Sequence, residues 1–281
     1  MKKFFSTVST GIVTSLLIIT NLSSEAQTRK DLIANYLTCL PAVPVSKATQ
    51  KYRMTAVYIN RDLYGNFTGK VKITGEYTRC LSADTCSWNN VIISSSNKYD
   101  DVFPDGIRQN YIEDFRYVPS AKMLNTDAFS GFPPNTESVL ARNLIWDMKA
   151  IEDFAWNYRD SLKLNRIFHI PGADSEFEMG NIGTYAHSDI QLCWTGISEV
   201  KGRLCTLIEF RAIDNRIEMS LDAINTKGTE QYWGTVWVSL KEMTIEHAEM
   251  YGGTIQEIEV KGMENKFLAK TIRELWVDKL D

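Results

Sequence analysis

The chain has 281 residues, of which 44% are hydrophobic and 23% charged, and its formal net charge is −4 at pH 7. This length is ample for a sizeable core. The acidic balance argues against a nucleic-acid-binding protein, because phosphate contacts require clustered Lys and Arg.

The first 26 residues have the three parts of a secretory signal peptide. Lys2 and Lys3 precede an apolar stretch over residues 11–20, and Ser24-Glu25-Ala26 has small residues at the two positions that a signal peptidase reads. The alternative is an uncleaved anchor, but a membrane span needs about 20 consecutive apolar residues, and polar residues interrupt this run. We therefore predict cleavage after Ala26, no membrane anchor in the mature form, and a periplasmic or extracellular location.

After this segment, apolar residues first recur at helical spacing and then at every second position, as in a strand. Residues 28–40 are predicted to form a short amphipathic helix that ends before Pro41. Apolar and polar residues alternate over residues 67–77, which is typical of a strand with one buried side. Residues 51–60 form a second predicted strand, joined to the first by a hairpin loop over residues 62–66.

One long helix is predicted over residues 137–158. Leu144, Met148 and Ile151 share its apolar face, whereas Asp147 and Glu152 are expected to lie in solvent. Large aromatic side chains widen the apolar face, so we expect this helix to be covered on more than one side.

From residue 164 onward the sequence predicts antiparallel strands with short turns. These strands cover residues 190–197, 204–212, 216–221, 231–240, 244–251, 254–260 and 267–277. Asp214-Asn215, Lys227-Gly228 and Gly252-Gly253 are among the predicted turns. The strands do not alternate with helices, which argues against a parallel α/β fold. We predict a mainly β (α+β) fold with a single curved antiparallel sheet, or an incomplete β-barrel, and the long helix packed across it. Residues 27–281 are expected to form one domain.

Four of the five cysteines form close pairs in the sequence. In an oxidising compartment, Cys80–Cys86 and Cys193–Cys205 are candidate disulfides. The alternative is that all five cysteines are buried thiols, since free Cys is among the most buried residue types.

The most suggestive polar cluster lies over residues 169–189. It contains His169, Asp174, Glu176, Glu178, His187 and Asp189. Imidazole and carboxylate groups can ligate a metal or transfer protons, and His169, His187 and Asp189 are the candidate ligands. The alternative is a solvated loop, because the spacing matches no metal-binding motif, and we predict no cofactor.

The tryptophans are the other candidate for a binding site. Trp233 and Trp237 share a strand face because an even number of residues separates them. Together with Trp194 and Trp146, they are candidate residues for binding an acyl chain or a planar ligand. The alternative is that these side chains form ordinary core against the long helix.

The order of predicted elements resembles the periplasmic lipoprotein-carrier (LolA/LolB-like) family. The most family-like part is the strand Tyr232-Trp-Gly-Thr-Val-Trp-Val-Ser-Leu240, followed by Thr244-Ile-Glu-His-Ala-Glu-Met250. The resemblance implies an incomplete β-barrel around an apolar cavity and a non-enzymatic role in binding or carrying a lipid or acyl group.

Two other functions remain open at this point. One is a secreted hydrolase that uses the His169–Asp189 cluster. The other is an interaction module that binds a second envelope protein through an exposed strand edge.

Overall fold

The computed structural model describes residues 27, 29–82, 84–100, 102–120, 126–179, 182–221 and 223–280. The predicted signal peptide lies outside these residues. The chain divides into two compact units, Met1–Ala42 and Val43–Asp281. In the first unit, the described chain contains the predicted N-terminal helix, α1, over residues 29–38.

The second unit contains the sheet and the long helix. Its strands are β1 (Gln50–Asp62), β2 (Phe67–Arg79), β3 (Cys86–Ser96), β4 (Ile107–Arg108), β5 (Phe115–Tyr117), β6 (Ile167–His169), β7 (Glu176–Glu178), β8 (Gly183–Ala186), β9 (Asp189–Val200), β10 (Arg203–Leu221), β11 (Ile224–Ser239), β12 (Ile245–Val260) and β13 (Phe267–Leu280). Helix α2 (Thr136–Trp156) lies between β5 and β6 in the chain.

All of these strands belong to one antiparallel sheet. The main path runs β4-β3-β2-β1-β13-β12-β11-β10-β8-β7. Strand β9 pairs with the first half of β10, and β8 pairs with the second half. The sheet does not close into a barrel. The predicted fold class is therefore confirmed.

Three predicted turns are wrong, because long strands run through them. At Asp214-Asn215, β10 continues with a bulge, where the register shifts and Asp214 adopts φ 58°. Such a bulge accommodates one extra residue without ending the strand. Strand β11 continues through Lys227-Gly228 and β12 through Gly252-Gly253. Strands β11 and β12 are paired on both sides at these sites, and this backbone pairing outweighs the local turn preference.

Helix α2 packs against β2, β10, β11 and β12. Asn135 begins the helix, because its side chain accepts a hydrogen bond from the backbone N–H of Ser138. The fully buried side chains of α2 include Leu144, Ile145, Met148 and Ile151. On the helix side of the sheet, the buried apolar residues include Met54, Ile73, Ile208, Phe210, Val236, Met250 and Leu275. No helix in the described ranges is long and apolar enough to cross a membrane.

The predicted solvent exposure of the acidic residues on α2 is wrong at two positions. Asp147 and Glu152 are 9% and 5% exposed. Both face basic residues of the sheet, Arg273 and Arg79 respectively. Periodicity identifies the apolar residues of a helix, but it cannot show that a partner strand supplies a cation to a buried carboxylate.

Gly234 of β11 allows close packing between the sheet and α2. The Phe210 ring lies over this residue and contacts Phe154 of α2, with ring centroids 4.8 Å apart. A Cβ atom at residue 234 would lie 2.6 Å from Phe210 Cζ and 2.0 Å from the backbone oxygen of Glu249. We expect Gly234→Ala to lower the free energy of unfolding by about 1–3 kcal/mol in urea denaturation, because overpacking forces neighbours to move.

Gly253→Ala is the matched control for this variant. A Cβ at residue 253 would meet no atom within 4 Å, so its effect should stay within about 0.5 kcal/mol of zero. Equal losses in the two variants would contradict the packing explanation.

Candidate functional site

A charged group lies in the interior between α2 and the sheet. The Arg273 guanidinium of β13 donates through Nη1 to both carboxylate oxygens of Asp147 on α2, each at 3.2 Å. Its Nη2 lies 3.5 Å from Glu230 Oε1 on β11. All three side chains are 11–13% exposed. Gly252 is the neighbour of Arg273 on β12, and its missing side chain leaves room for the guanidinium.

Aromatic and amide groups complete this polar cluster, which we define as Asp147, Glu230 and Arg273 with Tyr58, Tyr185, Tyr232, His187 and Asn215. Tyr58 is paired with Arg273 across β1 and β13, and Asn215 is paired with Glu230 across β10 and β11. His187 Nε2 lies 3.0 Å from the Tyr232 hydroxyl oxygen. The cluster therefore joins α2 to strands β1, β10, β11 and β13.

Burial changes the protonation of the cluster. It raises the pKa of Asp147 to about 6, although Arg273 acts in the opposite direction. It also lowers the pKa of His187 to about 4, so this imidazole is neutral at pH 7. With both carboxylates ionised, one guanidinium faces two negative charges, which disfavours an additional anion at this position.

Some polar atoms of the cluster have no hydrogen-bond partner among the described residues. They include Nε of Arg273 and both side-chain amide atoms of Asn215, which is 0% exposed. Buried polar groups are hydrogen-bonded in most proteins. These atoms therefore offer hydrogen bonds to a small polar group.

Beyond the polar cluster, the same face of the sheet becomes apolar. Met219, Thr226, Ile258 and Phe267 form one row across β10–β13. Leu221, Ile224 and Val260 form the next row. We call these seven uncharged residues the apolar shelf. Met219 and Leu221 pack against a cluster that includes Met179 and Ile182, whereas Ile224 and Phe267 are 41% and 44% exposed.

A groove with a volume of ≈ 360 Å³ lies near the shelf but opens on the opposite face of the sheet. It is lined mainly by residues that alternate with the shelf residues along the strands, among them Glu218, Lys227 and Glu257. The groove is therefore polar and separate from the apolar shelf.

The four candidate tryptophans do not converge on one site. Trp194 is buried on the helix side of the sheet, where its Nε1 donates to the Gly196 carbonyl at 2.9 Å. Trp146 lies on α2 and packs against the cluster of Met179 and Ile182. Trp233 and Trp237 share a face as predicted, but this is the face opposite to α2.

Of the predicted hydrolase cluster, His169 and Asp189 lie together at the surface, whereas His187 lies elsewhere. His169 Nδ1 lies 3.0 Å from Asp189 Oδ1 at the surface, where both side chains are largely exposed. His187 instead contacts Tyr232 in the polar cluster. Asp174, Glu176 and Glu178 are exposed. Across the described ranges, no three His, Cys, Asp or Glu side chains are grouped so that they could hold a metal ion.

The structure contains neither predicted disulfide, and all five cysteines are unpaired. Cys193 is paired with Glu209 and Cys205 with Ser198. Cys193 and Cys205 are thus offset by four residues along the strands, or about 13 Å, whereas a disulfide requires Cα atoms within about 7 Å. At the other pair, the Tyr77 hydroxyl oxygen lies 2.8 Å from Cys86 Sγ, and burial raises the pKa of Cys86 to about 11.

Sequence reasoning missed the charged members of the polar cluster. The helical period assigns Asp147 to the solvated face of α2, and no motif in the sequence indicates Arg273 or Glu230. One signal was present, because Arg273 alternates with Leu275 and Val277 and therefore shares their buried face. A cation at a buried position requires a partner, and its partner Asp147 lies 126 residues away.

The fold and the cluster together define the class: a mainly β protein with one open antiparallel sheet, whose helix-covered face carries a buried charged group. No protein family model matches the chain, and no curated protein matches it. Among solved structures, the chain is similar to a lipovitellin structure concerned with lipid–protein interactions, with 12% sequence identity and a TM-score of 0.43. The match covers 83% of this chain and 25% of that one, so the chain spans a quarter of its length. A likeness at this level assigns neither a family nor a ligand, and the lipoprotein-carrier resemblance stays a prediction.

Proposed function

We propose that this protein binds an amphipathic ligand, a lipid or a fatty-acyl compound, on the helix-side face of its sheet, and that it acts without catalysis. The observation that carries the proposal is the half-covered apolar shelf. Its position beside the polar cluster gives one face of the sheet both an aliphatic and a hydrogen-bonding part.

The charge pattern of the long strands supports an apolar occupant. In the outer part of β10, Ile217, Met219 and Leu221 alternate with exposed Glu218 and Ser220. The opposite face thus carries polar groups suited to water, whereas the shelf does not. Exposed apolar area of this kind, surrounded by polar residues, is typical of a binding site.

The spacing along the strands supports a ligand with a polar head. Asn215 and Met219 are four residues apart on β10, or about 13 Å. The row between the cluster and the shelf consists of Ile217, Gly228, Gln256 and Ala269, none of which is charged. Because Arg273 already faces two carboxylates, a neutral hydroxyl-bearing or amide-bearing head fits better than an anionic one.

The predicted signal peptide places this role outside the cytoplasm, in the cell envelope or beyond it. A carrier there would hold the apolar part of its ligand away from water. A protein partner in the envelope would deliver or receive that ligand.

The first test is native mass spectrometry of the purified mature protein, followed by organic extraction and lipid analysis. We expect a retained lipid or acyl compound. A protein that carries no extractable lipid and does not bind added monoacylglycerol would overturn the proposal.

A matched pair of variants locates the site. Phe267 and Leu268 are adjacent, and each is 44% exposed, but they lie on opposite faces of β13. We expect Phe267→Ser to weaken monoacylglycerol binding by about tenfold, because a buried aromatic contact is lost. Leu268→Ser should bind as the wild type does. Equal affinities in the two variants would place the ligand elsewhere.

A further inference from the structure

The sheet face opposite to α2 carries a group of aromatic side chains. We define the aromatic platform as Trp233 and Trp237 of β11, Tyr251 of β12 and Trp276 of β13. Trp233 is paired with Tyr251, and Trp276 is paired with Glu249. These residues do not belong to the lipid site proposed above.

Trp233 is the exposed residue of the platform, and its ring is nearly parallel to that of Tyr251. Trp233 is 48% exposed. Its ring and that of Tyr251 are stacked, with centroids 6.4 Å apart and an angle of 28° between their planes. A pair of aromatic faces on a regular sheet forms a flat surface, which does not enclose an acyl chain.

Hydrogen bonds fix the centre of the platform. The Tyr251 hydroxyl donates to Glu249 at 3.1 Å, and His247 Nε2 lies 3.1 Å from the same carboxylate. His247 Nδ1 lies 2.9 Å from Asp278, and its ring centroid is 5.1 Å from that of Trp237. A surface held in this way loses little side-chain entropy when a ligand binds.

Polar side chains surround the exposed Trp233 ring. Arg211 is its pair on β10, and Gln231 shares its face on β11. Glu274 is the pair of Tyr251 on β13. A guanidinium and an amide thus lie next to Trp233, and a carboxylate lies next to Tyr251, so the platform has both donors and acceptors of hydrogen bonds at its edge.

We propose that the aromatic platform is a saccharide-binding site. The C–H face of a sugar ring stacks on an aromatic ring, and its hydroxyl groups need donors and acceptors at the ring edge, as Arg211, Gln231 and Glu274 supply. The carboxylates Glu249, Glu274 and Asp278 disfavour nucleic acid on this surface. A lipid chain on this surface would remove these carboxylates from water, which is costly for charged groups.

The test is a titration of the mature protein with four oligosaccharides, and binding is measured by calorimetry and by tryptophan fluorescence. The oligosaccharides are cellohexaose, xylohexaose, maltohexaose and chitohexaose. We expect binding of at least one of them. Trp233→Ala should weaken it by about tenfold or more, because a stacked ring is lost, whereas Trp233→Phe should retain most of it. Ile255→Ala, an exposed change on the same face of β12, is the control and should have no effect.

Three outcomes would overturn the proposal. They are no binding of any of the four oligosaccharides, undiminished binding by Trp233→Ala, and Trp233-dependent self-association in sedimentation velocity without saccharide binding. Circular dichroism of each variant checks that it is folded. Because Phe267→Ser should not change saccharide binding and Trp233→Ala should not change lipid binding, failure of one site is distinguishable from failure of the other.

Discussion

Arg273→Met is expected to lower the free energy of unfolding by about 3–5 kcal/mol at pH 7, the cost of leaving buried charges without their partner. The Arg273 guanidinium bonds to Asp147 and lies 3.5 Å from Glu230, and none of the three side chains is more than 13% exposed. Without Arg273, two carboxylates would face each other in the interior. Urea denaturation followed by circular dichroism measures the loss.

Lys270→Met provides the control for this variant. Lys270 lies on the same strand, is exposed and faces away from α2, so its loss should change stability by no more than about 0.5 kcal/mol. The defect of Arg273→Met should also become smaller at pH 5, because Asp147 can then take up a proton. A loss below about 1 kcal/mol at pH 7 would show that Arg273 is not needed to neutralise the cluster.

The second large effect concerns the pH dependence of stability and depends on Glu152. This side chain is 5% exposed. The Tyr77 hydroxyl donates to it at 2.9 Å, and Arg79 Nε lies 3.8 Å away. Burial raises the pKa of Glu152 from 4.5 to about 7, against the opposing effect of Arg79. Between these two values the folded protein keeps a proton that the unfolded chain has released, so stability falls as pH rises through this window.

The contribution of Glu152 is isolated by comparison with Glu152→Gln. One pKa unit corresponds to about 1.4 kcal/mol, so the stability difference, wild type minus Glu152→Gln, should fall by about 3 kcal/mol from pH 4.5 to 7. His187 acts in the opposite sense, because burial lowers its pKa from 6.5 to about 4. Its contribution is common to both proteins and cancels in the difference.

Asp153→Asn is the matched control. Asp153 is the next residue on α2, and its side chain is 32% exposed in an ion pair with Lys149. Its stability difference from the wild type should change much less between pH 4.5 and 7 than the difference for Glu152→Gln. If the stability difference between the wild type and Glu152→Gln does not change with pH, Glu152 is ionised in the folded protein throughout this range.

The spacing of apolar residues predicted those helices and strands in which one face is buried along the whole element. The alternation over residues 67–77 predicted β2, and the apolar period over residues 137–158 predicted α2 within two residues at each end. The patterns failed at Asp214-Asn215 and Gly252-Gly253, where turn-forming residues lie inside strands. In both cases the neighbouring strands supply hydrogen bonds that a turn would lose.

For the candidate site residues, strand geometry predicted only which of them share a face of the sheet. The even spacing of Trp233 and Trp237 correctly indicated a shared face, but it could not show that this face lies opposite to α2. Proximity in sequence was also insufficient for Cys193 and Cys205, because the register between β9 and β10 offsets them by four residues.

The sequence by itself determined that the protein is mainly β, that one long helix crosses the sheet, and which residues of each strand share a face. These properties follow from the hydrophobic period, which is a local quantity. Only the tertiary structure decided that Asp147, Glu230 and Arg273 meet, because their distance depends on the pairing of β11, β12 and β13 and on where α2 lies across them. The same pairing decided which face of the sheet is covered, and therefore where an apolar shelf and an exposed aromatic platform are available for ligands.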